Sequence, residues 1–149
     1  MDSLMKYIAR IFRCSILYRN EILAQEGLNG YQHTYILKLC NNPGISQEQL
    51  SRMLYVNKST VTRQLALLEQ GGFVTRKPGS ADKRTMLVYP TAKAEAVYPK
   101  VKAAAQAWND KLTEGLTEQE RDWLCGKLTL LMERAEAEVG NIHDGGREL

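Results

Sequence analysis

The chain has 149 residues, a formal net charge of +3, 44% hydrophobic and 25% charged residues, which suits one domain, or a small domain with helical extensions, around a real core. No apolar run reaches the roughly 18 residues that span a bilayer, and Lys6, Arg10 and Arg13 interrupt the stretch where a signal peptide would be apolar, so a cytoplasmic protein with no membrane partner is expected. Cys14, Cys40 and Cys125 are odd in number, far apart and without CxxC spacing, which argues against a disulfide framework or a zinc knuckle.

In chain order, the first predicted element is a helix from Met1 to about Gln25, with Leu4, Ile8, Ile11, Phe12, Ser15 and Tyr18 along one side and Ile16 and Ile22 widening the stripe. Gly27 and Gly30 bracket its end. A shorter helix follows from about Tyr31 to Cys40 and stops at Asn41-Asn42-Pro43-Gly44. Ser46 and Gln49 then form a capping-box pattern that opens a helix carrying Leu50, Met53 and Leu54 at helical spacing. After a break at Tyr55-Val56-Asn57, Asn57 is a good N-cap for a helix to about Gln70, ended by Gly71 and Gly72.

Within that helix Val61, Leu65 and Leu68 fall at i, i+4 and i+7 and define the buried stripe, which turns Ser59, Thr60, Thr62, Arg63 and Ala66 outward. Small hydrogen-bonding residues at a helix start, followed by arginine and with no acid before Glu69, suit insertion into a DNA major groove. Phe73–Lys77 and Thr85–Tyr89 are rich in strand formers and flank turn chemistry from Pro78 to Arg84, the pattern of a hairpin wing. From Asn57 to Arg84 the bases Lys58, Arg63, Arg76, Lys77, Lys83 and Arg84 outnumber the acids Glu69 and Asp82, giving +4 locally against +3 for the whole chain. Such a concentration is the electrostatic footprint of phosphate binding.

Beyond the wing, Thr91 caps a long helix to about Leu112, and Thr117 to Glu120 is a second capping box that opens a helix to about Val139. Trp123, Leu124, Leu128, Leu131 and Ala135 form the apolar stripe of that last helix. The fold class expected is therefore mainly α with a small β-hairpin wing: a winged helix-turn-helix over residues 31–90, a helical dimerisation region over 1–30 and 91–140, and a flexible tail over 141–149. A two-fold homodimer would present two recognition helices to half-sites of a pseudo-palindromic duplex about one turn apart.

No glycine-rich phosphate loop, G-x-S-x-G or close His/Asp/Ser set is present, so neither an enzyme nor a cofactor is expected. The only histidines, His33 and His143, have no partners at ligand spacing, so no metal site is expected either.

The order of elements and the segment from Asn57 to Arg84, above all Asp82 and Arg84 of the wing's D-x-R, resemble the MarR family, regulators of multiple antibiotic resistance. The match has motif-level detail from about Leu28 to Lys93. It departs where the family commonly has Leu-Thr-x-x-Gly, for which this chain has Pro90-Thr91-Ala92-Lys93-Ala94. The resemblance implies a homodimeric repressor that leaves its operator when a small, often phenolic ligand or an oxidant acts. It also implies that Arg84 or Lys83 enters the minor groove, that Ser59, Thr60, Thr62 and Arg63 meet the major groove, and that Asp82 pairs with an arginine to hold the wing tip.

For the signal, Tyr18, Tyr31, His33 and Tyr35 could line an aromatic pocket, with Arg10, Arg13 or Arg19 pairing a carboxylate, although as core or interface residues they would look the same. Cys14 resembles the reactive cysteine of the family's organic-hydroperoxide-sensing branch, but Gln32 and the run from Glu21 to Gly27 lack the tyrosines that would activate it. A winged helix devoted to protein contacts, without specific DNA binding, is the remaining alternative.

Overall fold

The computed structural model describes residues 3–145, with side chains to Gly140. It divides into two compact units, Met1–Asn109 and Asp110–Leu149.

In the first unit, helix α1 (Leu4–Leu23) runs into a single 3-10 turn that ends at Gly27 in a left-handed conformation. Helix α2 (His33–Asn41) leads to strand β1 (Ile45–Ser46), then α3 (Gln47–Leu54) and α4 (Lys58–Gln70) form the helix-turn-helix. The expected capping box is present: Gln49 N donates to Ser46 Oγ at 3.1 Å and Ser46 N donates to Gln49 Oε1 at 3.1 Å. Asn57 caps α4, its Oδ1 accepting from Thr60 N at 2.8 Å. The turn between the two helices places Tyr55 at φ 53°, a left-handed conformation that a bulky residue rarely adopts.

Strands β2 (Val74–Pro78) and β3 (Met86–Pro90) form the wing, each displaced one residue from its expected start. The sheet is antiparallel with order β1-β3-β2, and Val88 lies between Ile45 and Arg76. The third strand, β1, was not expected. At two residues it is too short to show alternation, and it passes directly into the α3 cap.

Helix α5 (Ala92–Leu112) continues through Pro99. Its Val97, Val101 and Ala104 share one core with Leu23 and Leu28, with Ile36 and Leu39 of α2, Leu50 of α3, Val61, Leu65 and Leu68 of α4, and Phe73 and Val88 of the wing. The recognition helix is thus fixed on its inner face by the same core that holds α1 and α5. On α1 the buried positions are Ser15, Ile16, Arg19 and Leu23, whereas Leu4, Ile11, Phe12 and Ile22 of the expected stripe are exposed.

In the second unit, Thr117 and Glu120 form the expected capping box, Glu120 Oε2 accepting from Thr117 N at 2.8 Å and Thr117 Oγ1 from Glu120 N at 3.2 Å. Helix α6 (Glu118–Gly145) runs past the end expected near Val139, and of the expected flexible tail, residues 146–149 lie outside the described residues. No described helix is long and apolar enough to cross a membrane.

Candidate nucleic-acid interface

Helix α4 buries Val61, Leu65 and Leu68 and leaves Lys58, Ser59, Thr62 and Arg63 exposed along its first two turns. Thr60 differs from expectation: it is half-buried and faces α1 and α2. Ser59 donates to the capping Asn57 at 2.9 Å, and Thr62 donates to Lys58 O at 2.9 Å, so both hydroxyls keep an open lone pair for an incoming donor. Arg63 and Lys83 make no hydrogen bond or ion pair among the described residues.

The wing tip is ordered by Asp82, whose Oδ1 accepts from Arg84 N at 3.0 Å and from Arg84 Nε at 3.3 Å. The Arg84 side chain is nonetheless 92% exposed, which leaves both Nη groups facing solvent. Lys77 lies along the hairpin with its ammonium 5.5 Å from the Tyr89 ring. Between the wing and the recognition helix lies a notch of about 250 Å³, lined by Lys58, Thr62, Arg84, Thr85 and Met86 together with the start of α3.

Lys58 also pairs with an acid, its Nζ 3.3 Å from Glu48 Oε1, but Arg76 alone among these bases is half-buried. Its Nη2 and Nε reach Glu69 at 3.1 and 3.4 Å, its Nη1 donates to Gln47 Oε1 at 3.2 Å, and its side chain is only 19% exposed.

A second, apolar cavity of about 190 Å³ opens between α1, α2 and the inner flank of α4. Phe12 and Ile16 come from α1, Tyr31 from the turn before α2, His33, Thr34 and Tyr35 from the first turn of α2, and Thr60 and Gln64 from the recognition helix itself. His33 Nδ1 lies 3.0 Å from Gly30 O. Because a carbonyl can only accept, Nδ1 carries the proton and Nε2 presents a lone pair. Burial, reinforced by the nearby Arg19 charge and opposed by the Gly30 bond, lowers the His33 pKa to about 4, so the ring is neutral at physiological pH. Arg19 is buried and bonded only to neutral acceptors, Gly30 O at 3.2 Å and Ser15 Oγ at 2.8 Å. Its charge has no carboxylate among these partners, and burial lowers its pKa from the ordinary value.

The model of the MarR family matches residues 28–86. A Bacillus subtilis helix-turn-helix transcriptional regulator, YybA, is 25% identical over 147 residues, 99% of this chain and 98% of its own. The regulator BilQ of Clostridium symbiosum is 27% identical, covering 93% of this chain and 97% of its own. A Listeria monocytogenes MarR-family regulator solved with a 26mer DNA matches with a TM-score of 0.85 and 27% identity over 93% of this chain and 92% of that one. This chain carries the MarR-family domain over residues 28–86.

It is a transcriptional regulator with a winged helix-turn-helix, and such MarR proteins are not enzymes. Of the residues singled out for an effector, Tyr31, His33 and Tyr35 come together at the cleft, while Arg10 and Cys14 are exposed elsewhere on α1 and Tyr18 packs against Trp108 with its ring tilted and 5.1 Å between ring centres. Arg13 is exposed as well, and Arg19 reaches the cleft only through Gly30 and His33. Sequence reasoning passed over Gln64, although its i+4 relation to Thr60 places both on one flank of α4. It also passed over Gln47, for which the sequence carries no signal, because its partner Arg76 lies on a different element.

Proposed function

We propose that this MarR-family regulator is a homodimeric repressor that binds a pseudo-palindromic operator through α4 and the wing and is released when a small phenolic ligand enters the α1/α2/α4 cleft. The observation that carries the reading is the pairing of an acid-free, hydroxyl-rich α4 start, with Arg63 exposed on it, and a wing tip that holds Lys83 and Arg84 in solvent. Ser59, Thr62 and Arg63 would meet base edges and phosphates in the major groove, with Thr60 at the rear of that face. Lys83 and Arg84 would enter the minor groove, where narrow A·T-rich duplex concentrates negative potential. Lys58, by leaving its exposed pair with Glu48, and Lys77 would meet the phosphates between the two. A second copy would cover the apolar faces left open on α1 and α6.

The test is a salt-titrated binding assay against the DNA upstream of the gene for this protein, with random duplex as reference. Tight preference with a steep salt slope is expected. Arg63→Ala and Arg84→Ala should each weaken upstream-DNA binding by about 1–3 kcal/mol if they read bases, and unchanged affinity in either would remove that residue from the interface.

The cleft favours a phenol because neutral His33 offers Nε2 as an acceptor to a hydroxyl, the rest of the lining is largely apolar, and the buried Arg19 charge attracts an anionic substituent such as a carboxylate. Thr60 and Gln64 belong to α4, so an occupant would touch the recognition helix directly. Hydroxybenzoates are expected to lower operator affinity in the wild type and to do so less in His33→Phe. An equal response in both would exclude His33 as the acceptor.

A further inference from the structure

We infer that Arg76 serves DNA binding as a positioning residue, clamping the wing to the recognition helix instead of contacting phosphate. The inference rests on the DNA-binding reading for its purpose, but on the geometry of the free protein for its substance.

All three guanidinium nitrogens of Arg76 are engaged. The Nη2 and Nε bonds to the two oxygens of Glu69 form a fork on a fork, the strong bidentate arrangement of an arginine and a carboxylate. Glu69 sits in the last turn of α4 and Arg76 in the middle of β2, so this pair ties the recognition helix to the wing across the Gly71–Gly72 turn. The third nitrogen fixes the Gln47 amide, because a guanidinium only donates and Oε1 must face it. The Gln47 amide nitrogen then lies 3.4 Å from Thr62 Oγ1 on the exposed face of α4. One side chain therefore connects β2, the first turn of α3 and two turns of the recognition helix. The hydrogen bond from Arg76 holds the Glu69 carboxyl below the usual carboxylate range, which keeps the acceptor charged. A phosphate contact by Arg76 would have to break these bonds, whereas Lys83, Arg63 and the Nη groups of Arg84 have none to break among the described residues.

The roles separate experimentally because Glu69 is an acid. If charge alone mattered, Glu69→Ala would strengthen binding to a polyanion. If the clamp sets the wing angle, the same change must weaken it. Arg76→Ala, Glu69→Ala and the swap Glu69→Arg/Arg76→Glu are compared with wild type by amide hydrogen exchange of β2 and β3 without DNA, and by salt-titrated binding to the upstream DNA. Each single variant is expected to accelerate wing exchange and to weaken binding about tenfold, with the salt slope unchanged. The swap, which keeps net charge and restores the pair, should recover most of both losses. A phosphate ligand would behave differently: Arg76→Ala would lower the slope by about one, wing exchange would stay at the wild-type rate, and the swap would bind worst. That outcome overturns the clamp, as does wild-type wing exchange in both single variants. Should the wild type show no preference for the upstream DNA, the DNA reading fails at that site, and the exchange rates still decide whether Arg76 clamps the wing.

Discussion

Leu128→Glu is expected to turn the homodimer proposed above into a monomer and to lower operator affinity by about two to four orders of magnitude. Leu124, Leu128, Leu131, Ala135 and Val139 recur at helical spacing on α6, and Leu128 is the most exposed leucine of the row at 44% in the single chain. An apolar row of this length facing water is costly, since each leucine loses about 1.5–3 kcal/mol of burial. A second copy removes that cost, and two-fold symmetry means that one substitution places two carboxylates in the same interface. The loss of affinity follows from geometry. Once one recognition helix is seated, a dimer binds its second half-site as an intramolecular event, and a monomer forfeits that advantage. Sedimentation velocity and the operator titration check the two halves of the expectation together. Circular dichroism should show retained helix, because the exposed Leu128 contributes little to the folding of its own chain. A variant that stays dimeric with full affinity would place the interface away from this face.

The fold was legible where local chemistry and long-range packing agree. The caps at Ser46, Asn57 and Thr117 use side chains within three residues of the backbone groups they satisfy, so their signals lie in the sequence itself. The buried positions of α4 follow from a 3.6-residue period with one dominant face. Helix α1 was read less well because its apolar residues cover more than one face. Its stripe through Leu4 and Ile11 stays open, and the core is reached through Ile16 and Leu23 with the polar Ser15 and Arg19 beside them. No propensity argument places an arginine in that core. It is held there by a glycine carbonyl and a serine hydroxyl, one of them eleven residues away. The same limit applies at the interface. Counting charges gathers Arg76 with the other bases, and only the positions of Glu69 and Gln47 distinguish it from Arg84. The cleft, too, depends on the angle at which α2 meets α1, which the sequence marks only by a glycine.

That glycine is Gly30, and Gly30→Ala is expected to destabilise the first unit by roughly 3 kcal/mol, at the upper end of overpacking effects. A Cβ on Gly30 would lie 2.3 Å from the carbonyl oxygen of Ile16 and 3.0 Å from its Cα, all of it helical backbone that cannot rotate away. Relief requires α1 to move from the entry to α2. That motion strains three bonds converging on Gly30: its N–H to Asn20 Oδ1 at 2.6 Å, and its carbonyl accepting from Arg19 Nε at 3.2 Å and His33 Nδ1 at 3.0 Å. Gly27→Ala is the informative comparison. Its φ of +77° disfavours any side chain, but nothing lies within 4 Å of the added carbon, so only the conformational penalty of about 1–2 kcal/mol applies. Urea unfolding of the two variants separates steric clash from backbone strain, and a Gly30→Ala midpoint above that of Gly27→Ala would show that the helices yield freely at this contact. Ile16, Gly30 and His33 all line the cleft, so the displacement that relieves the clash also reshapes it. In protein that still folds, Gly30→Ala should therefore weaken the proposed response to hydroxybenzoates more than it weakens affinity for DNA, because the clash lies at Ile16 and not at Val61, Leu65 or Leu68, the buried positions that seat α4.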